Sequence, residues 1–232
     1  MKEKFLQAHA ETREREADLV ALVKDGPPDP SGKWRPQDHL AHLSEQRRFG
    51  ALVFDAVRTG GDPPPDPGEG SNDAFYESTK DQPAAAIIAG ADRTWVALET
   101  AINACTEDDL AQPSPYGPNP RRLGDGAPGD HLAAHLFWCY LDAGDEKSAE
   151  AVLRWAQDLS SRTSTDSRTH AVGTYNLACF YGRTGRAREA LPLLSESFDV
   201  APELKEWSLK DPDLDPIRED PGFQALVRGK AS

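Results

Sequence analysis

Apolar side chains recur along this chain at three- and four-residue intervals, and no stretch alternates as a half-buried strand would. The expected fold is therefore all-α. The first predicted helix runs from Lys2 to Lys24 and stops before D-G-P-P-D-P-S-G, whose glycines and prolines cannot continue it. The second starts at Pro36, a residue suited to the first helical position, and ends before G-G-D-P-P-P-D-P-G-E-G-S-N. A third starts around Asn72 to Ala74, is broken or kinked at Pro83, and continues to about Cys105. Residues 113–130, P-S-P-Y-G-P-N-P-R-R-L-G-D-G-A-P-G-D, hold five prolines and four glycines, the composition of a long irregular loop that is functional or disordered. A fourth helix follows Asp130, read as its N-cap, with the sequence H-L-A-A-H-L-F-W-C-Y-L-D-A-G. Four long helices within 143 residues point to a four-helix bundle over 1–143.

From Gly144 onward the pattern shortens to helical hairpins, a second region over 144–232. Here Leu177, Ala178, Tyr181, Gly185, Ala190, Leu194 and Pro202 stand at the spacing of a tetratricopeptide repeat, which this segment resembles. The spacing returns 41 residues upstream, where Leu136, Tyr140, Gly144, Ala149 and Leu153 match Leu177, Tyr181, Gly185, Ala190 and Leu194. The excess over a repeat of about 34 residues is placed in S-S-R-T-S-T-D-S-R-T-H. The alternative is coincidence between amphipathic helices. The tail D-P-D-L-D-P-I-R-E-D-P-G-F-Q-A-L reads as a cap on the stack.

Charge narrows the function classes. The sum is −13, with a sequence pI near 4.9, so a basic phosphate-binding surface for nucleic acid is excluded. Mean hydropathy is −0.63 and no run approaches a membrane span; the charged start lacks a signal-peptide core, so the expected location is cytoplasmic. Cys105, Cys139 and Cys179 have no disulfide or metal spacing and read as reduced packing residues. Arginine outnumbers lysine 17 to 9, a bias of the kind found in GC-rich actinobacterial genomes.

Six histidines are the candidate chemistry. His131 and His135, four residues apart, project from one helix face and can hold one ion. The apolar arc of the second helix, Leu40, Leu43, Phe49, Val53, Phe54 and Val57, also contains His39 and His42. Both point inward, and His39 lies nearer the centre of the arc, so the wheel alone does not choose between them. His131, His135 and Trp138 share a stripe closed by Asp142, which lets histidines of two facing helices meet. On the first helix Phe5, His9, Thr12, Glu16 and Leu19 form a ragged stripe that either puts His9 or Glu16 near the pocket or faces solvent.

Trp34, Asp38, His42 and Leu43, with His131-x3-His135 about 90 residues later, resemble the signature of the DinB-like superfamily over residues 1–143. The resemblance implies a four-helix bundle that holds a divalent metal, zinc or nickel, on His42, His131 and His135. It also implies thiol-dependent S-transferases or isomerases using mycothiol or bacillithiol, or self-protection proteins without the metal. Three neutral imidazoles leave an open position where a thiol or water is activated; the residues do not choose between thiol transfer and hydrolysis. Arg121 and Arg122 could bind a carboxylate on the thiol or substrate, Trp138, His39 and His9 are further substrate-binding candidates, and Asp38 and Asp130 are candidate acceptors for imidazole N–H groups. First-turn carboxylates also simply suit the helix dipole. Two functions follow as expectations. One is a metal-dependent transferase joining a mycothiol-like thiol to an electrophilic small molecule in detoxification or secondary metabolism, with a metal-dependent hydrolase as its variant. The other is a non-enzymatic self-protection or interaction protein that sequesters a ligand and engages a protein partner, or a second copy, through the repeat-like hairpins.

Overall fold

The computed structural model describes residues 1–68, 70–116 and 121–228. Among these the chain is all-α, with no strand beyond an isolated bridge between Pro113 and Arg122. Helix α1 spans Lys2–Leu22, α2 Pro36–Thr59, α3 Ser71–Thr79, α4 Ala84–Ala104, α5 Glu107–Ala111, α6 Pro128–Asp142, α7 Glu146–Thr163, α8 Ser167–Arg183, α9 Ala187–Val200, α10 Glu203–Ser208 and α11 Pro221–Arg228. None of these helices is long and apolar enough to cross a membrane.

Local chemistry sets the helix ends. Pro36 occupies the first turn of α2, and the Asp38 carboxylate accepts from the Arg35 backbone N–H at 2.8 Å, closing a capping box. Gly60 ends the helix at φ 67°, a left-handed conformation that glycine adopts without a Cβ clash. The stretch expected to break or kink at Pro83 is broken there into two helices, because the chain turns at 80–83 and Pro83 becomes the N-cap of α4. The short α5 was not expected from periodicity; Thr106 caps it by accepting from the Asp109 N–H. Helix α6 begins three residues earlier than expected, with Pro128 in its first turn, so Asp130 lies inside the first turn and is not the N-cap.

Helices α2 and α4 pack along each other, and α6 lies against both α1 and α7. One apolar core runs from Leu19, Leu40 and Leu43 through Leu132 and Leu136 to Tyr181, Leu194 and Phe223. A second cluster, Phe5, Phe54, Trp95, Leu98, Ile102 and Leu110, fills the other end of α1, α2 and α4. Leu136 is fully buried where the first core passes through α6, so Leu136→Ala is expected to cost about 2–5 kcal/mol.

The turns of the α6–α7 and α8–α9 hairpins share backbone hydrogen bonds at an offset of 41 residues. Gly144 and Gly185 turn the chain at φ 74° and 70°. The Asp145 N–H donates to the Tyr140 carbonyl and the Arg186 N–H to the Tyr181 carbonyl, each at 2.8 Å, while Ala149 and Ala190 are both fully buried. Beyond α9 the 3-10 turn at Pro212–Ile217 presses Leu214 onto Gly182, where a Cβ would stand 2.6 Å from Leu214 Cδ2. Together with Phe223 of α11, this segment closes the end of the core.

Candidate metal centre

Helices α2 and α6 bring three imidazoles to one point. His42 Nε2 lies 3.3 Å from His131 Nε2, and His135 Nε2 lies 3.1 Å from the same atom. The three donor atoms fall within 4.8 Å of one another. The edge of a tetrahedron with metal–nitrogen bonds of about 2.0–2.1 Å is about 3.3 Å, so this spacing fits a small divalent ion. Three nitrogens aimed at one point cannot all be matched by protons passed between them, whereas one cation satisfies three lone pairs.

Electrostatics keeps the rings in the ligating form. Burial, reinforced by His42 and the Arg47 guanidinium, lowers His131 to about 4. Burial and the neighbouring imidazoles push His135 down to about 2, and burial alone lowers His42. All three are neutral at pH 7, the state a metal requires.

His39 belongs to the same cluster in a different role. Its Nδ1 is 2.7 Å from His135 Nδ1. When His135 offers Nε2 to a metal, its Nδ1 carries the proton and donates it to His39 Nδ1, which orients the ligand ring. His39 is 8% exposed and packs between His135 and Trp34. Trp34 covers one side of the cluster. Its ring is stacked between His135 and Tyr76 of α3, with both ring-centre separations 6.2 Å.

On the other side His131 opens onto a cavity of about 280 Å³ between α1, α2, α4 and the start of α6. Phe5, Leu43, Phe54 and Leu98 give it apolar walls. The ragged stripe of α1 faces inward: Phe5, His9, Thr12 and Glu16 are buried and line the cavity, and Leu19 is buried in the core. The His9 Nδ1–H donates to the Phe5 carbonyl at 2.9 Å, and burial lowers its pKa to about 4. Arg47, not anticipated from the sequence, pairs with Glu16 through two hydrogen bonds of 2.5 and 3.1 Å, and its guanidinium lies 4.5 Å from the Trp95 ring centre. Trp95 Nε1–H donates to Glu16 at 2.8 Å. Glu16 and Arg47 are 3% and 8% exposed, so each depends on the other for its charge to be buried at all. Arg47 stands on the inward arc of α2 and Glu16 on the α1 stripe, a pattern that hints at the pair once the two stripes are known to face each other.

Several predicted site residues are placed elsewhere. Asp38 does not touch an imidazole; its carboxylate is held by the Arg35 backbone and guanidinium at 2.8–2.9 Å, as a helix-start carboxylate. Asp130 faces the opposite side of α6, across from Gly173 of α8. Arg121 donates to Thr169, and Arg122 is bound to Asp125 and Thr165, so both are drawn toward the α7–α8 connection and away from the histidines. Residues 117–120 of the irregular loop lie outside the described residues. Trp138 is 44% exposed, carries the Arg183 guanidinium at 4.9 Å and lines a different cavity. All three cysteines are buried, and burial raises Cys139 to about 12, which removes it as a neutral-pH nucleophile.

No protein-family model, curated protein or solved structure matches this chain.

Proposed function

We propose that this protein is a metal-dependent transferase that joins a low-molecular-weight thiol, of the mycothiol kind, to an electrophilic small molecule, acting in the cytoplasm in detoxification or secondary metabolism. The observation that supports this reading best is the convergence of His42, His131 and His135 Nε2 atoms beside an apolar cavity. In this reading α1, α2, α4 and α6 form a DinB-like four-helix bundle, and α6 to α9 form tetratricopeptide-like hairpins that share α6 with it. The 41-residue repetition of turn hydrogen bonds favours that division.

His42, His131 and His135 would hold a zinc or nickel ion, which would supply the Lewis acidity to bring a thiol, or in the hydrolytic variant water, to its anion near neutral pH. The chain does the remainder. Its ligands are neutral, so they leave the charge of the ion undiminished, and His39 fixes the ring of His135. Trp34 and Tyr76 shield one side from water. Phe5, Leu43, Phe54 and Leu98 receive the apolar body of the electrophile next to His131, and the Glu16–Arg47–Trp95 network holds the cavity floor rigid.

The decisive experiment is elemental analysis of protein purified without chelator, followed by a thiol-consumption assay with mycothiol and monobromobimane, on wild type and His135→Ala. About one equivalent of zinc or nickel and metal-dependent conjugation, both lost in the variant, are expected. Wild-type protein that takes up neither ion when it is supplied defeats the reading, and metal uptake without thiol consumption turns it to the hydrolytic variant.

A further inference from the structure

The second cavity, on the other side of α6, has chemistry that the metal centre does not use. It measures about 240 Å³ and lies between α6, α7, α8 and the segment from Trp207 to Asp213. Two carboxylates without an ion-pair partner among the described residues line it. Asp130 Oδ1 is buried and has no hydrogen-bond partner among them. Arg121 acts on it only through space and donates one N–H to Thr169 Oγ1 at 3.2 Å. Asp211 accepts only from neutral donors, Tyr175 Oη–H at 2.9 Å, Cys179 Sγ–H at 3.5 Å and the Asp213 backbone N–H at 3.0 Å. Asp213, by contrast, is already neutralised by Arg183. Phe137, Trp138, Tyr175, Phe180 and Trp207 put aromatic rings in a wall completed by small and aliphatic side chains. Trp138 already carries one guanidinium on its ring, which shows the affinity of this wall for cations. Opposite Asp130 the helix carries Gly173, where a Cβ would stand 3.6 Å from Asp130 Oδ1 and fill the space in front of the carboxylate.

We propose that this cavity binds a small organic cation, a primary ammonium on an aromatic body, with the nitrogen on Asp130 and the body among the aromatic rings. Carboxylates that lack a cation inside an aromatic enclosure are complementary to such a molecule in both charge and surface. The volume falls below the roughly 300–1,000 Å³ of sites for drug-sized ligands, so the ligand is small. The site is separate from the histidine cluster and does not depend on the proposed transferase reaction.

The test is isothermal titration calorimetry of the full chain at pH 8 with 2-phenylethylammonium, beside the neutral isostere 2-phenylethanol and the anion 3-phenylpropionate. The amine is expected to bind one to one and at least tenfold tighter than the alcohol, with the anion excluded. Asp130→Asn, which is isosteric, is expected to lower amine affinity at least tenfold and leave alcohol binding unchanged. Gly173→Leu, which keeps the charge and fills the space, is expected to abolish binding of both. Equal affinity for amine and alcohol, no amine binding by wild type, or an unaltered affinity in Asp130→Asn overturns the proposal. Tighter binding of Nα-acetyl-lysine amide than of the arylalkylamine overturns the small-molecule assignment and turns the site to lysine side chains of a protein.

Discussion

The two cavities beside α6 differ in the sign of the groups they desolvate. One side of the helix presents His131 and His135 toward α2, and the other presents Asp130 toward α8. The same burial drives both sets to their uncharged forms, lowering the imidazoles and raising the carboxyl. The consequences are opposite. A neutral imidazole has a free lone pair, so desolvation prepares it as a metal ligand. A neutral carboxyl is a weaker partner for a cation, so desolvation makes the carboxylate side depend on an arriving charge. A second contrast concerns ion pairs. The cavity at α1 and α2 encloses Glu16–Arg47, whereas the hairpins carry theirs at the surface, as in Arg168–Glu203 with side chains 51% and 54% exposed.

The contrast can be broken most sharply at His135. With His135→Ala, bound zinc or nickel measured by elemental analysis is expected to fall from about one equivalent to none, while far-ultraviolet circular dichroism is unchanged. Next is the buried ion pair. Glu16→Ala leaves the Arg47 guanidinium unpaired and is expected to lower stability by about 3–5 kcal/mol in urea denaturation. Arg168→Ala in the hairpins is expected to cost only about 0–1 kcal/mol.

Acid titration separates the two sides by sign. The depressed pKa of His9 means that the unfolded chain binds the proton first. Its contribution to stability is therefore complete above pH 6.5 and is lost as the pH falls toward about 4, an effect of up to about 3 kcal/mol in the metal-free protein. Asp130 acts in reverse: its raised pKa makes the folded state hold the proton, and stability falls as the pH rises from about 3.8 through about 7. Replacing His9 by Gln is expected to flatten the acid side of the stability curve, and Asp130→Asn the opposite limb, both read by thermal melts from pH 4 to 8. Smaller again is the support of His135. His39→Leu removes the acceptor of its Nδ1–H and is expected to weaken zinc binding about 10–100-fold in a chelator competition, with stoichiometry kept. The smallest effect belongs to Arg121→Ala, whose side chain is directed to Thr169. Zinc affinity by the same competition is expected to be unchanged, and stability to move within about 0.5 kcal/mol.

Local rules made much of this legible beforehand. Four-residue spacing placed His131 and His135 on one face, and the small and large residues around Gly144 and Gly185 marked two alike turns whose hydrogen bonds repeat. Local rules failed where the competing use of a residue was also local. Asp38 and Asp130 stand in first turns, where a carboxylate suits both a helix start and an imidazole N–H. The local capping box gave Asp38 to Arg35, and tertiary packing set Asp130 against Gly173 on the other side of α6. Arg121 and Arg122 were near the histidines only along the chain. Tyr76 was missed because its helix is short and weakly patterned, and it reaches Trp34 only through the packing of α3.

The sequence by itself determined the long helices, their breaks at proline and glycine, and the inward arc of α2, because periodicity and backbone restriction are properties of neighbours along the chain, and it left the α1 stripe open between pocket and solvent. It brought both His39 and His42 into the interior without ranking them. Only the tertiary structure decided that His42 meets His131 while His39 stands behind His135, that Glu16 finds Arg47, and that α6 separates a histidine cavity from a carboxylate one. Those choices depend on the rotation and depth of each helix against its neighbours, which the packing of the whole core sets.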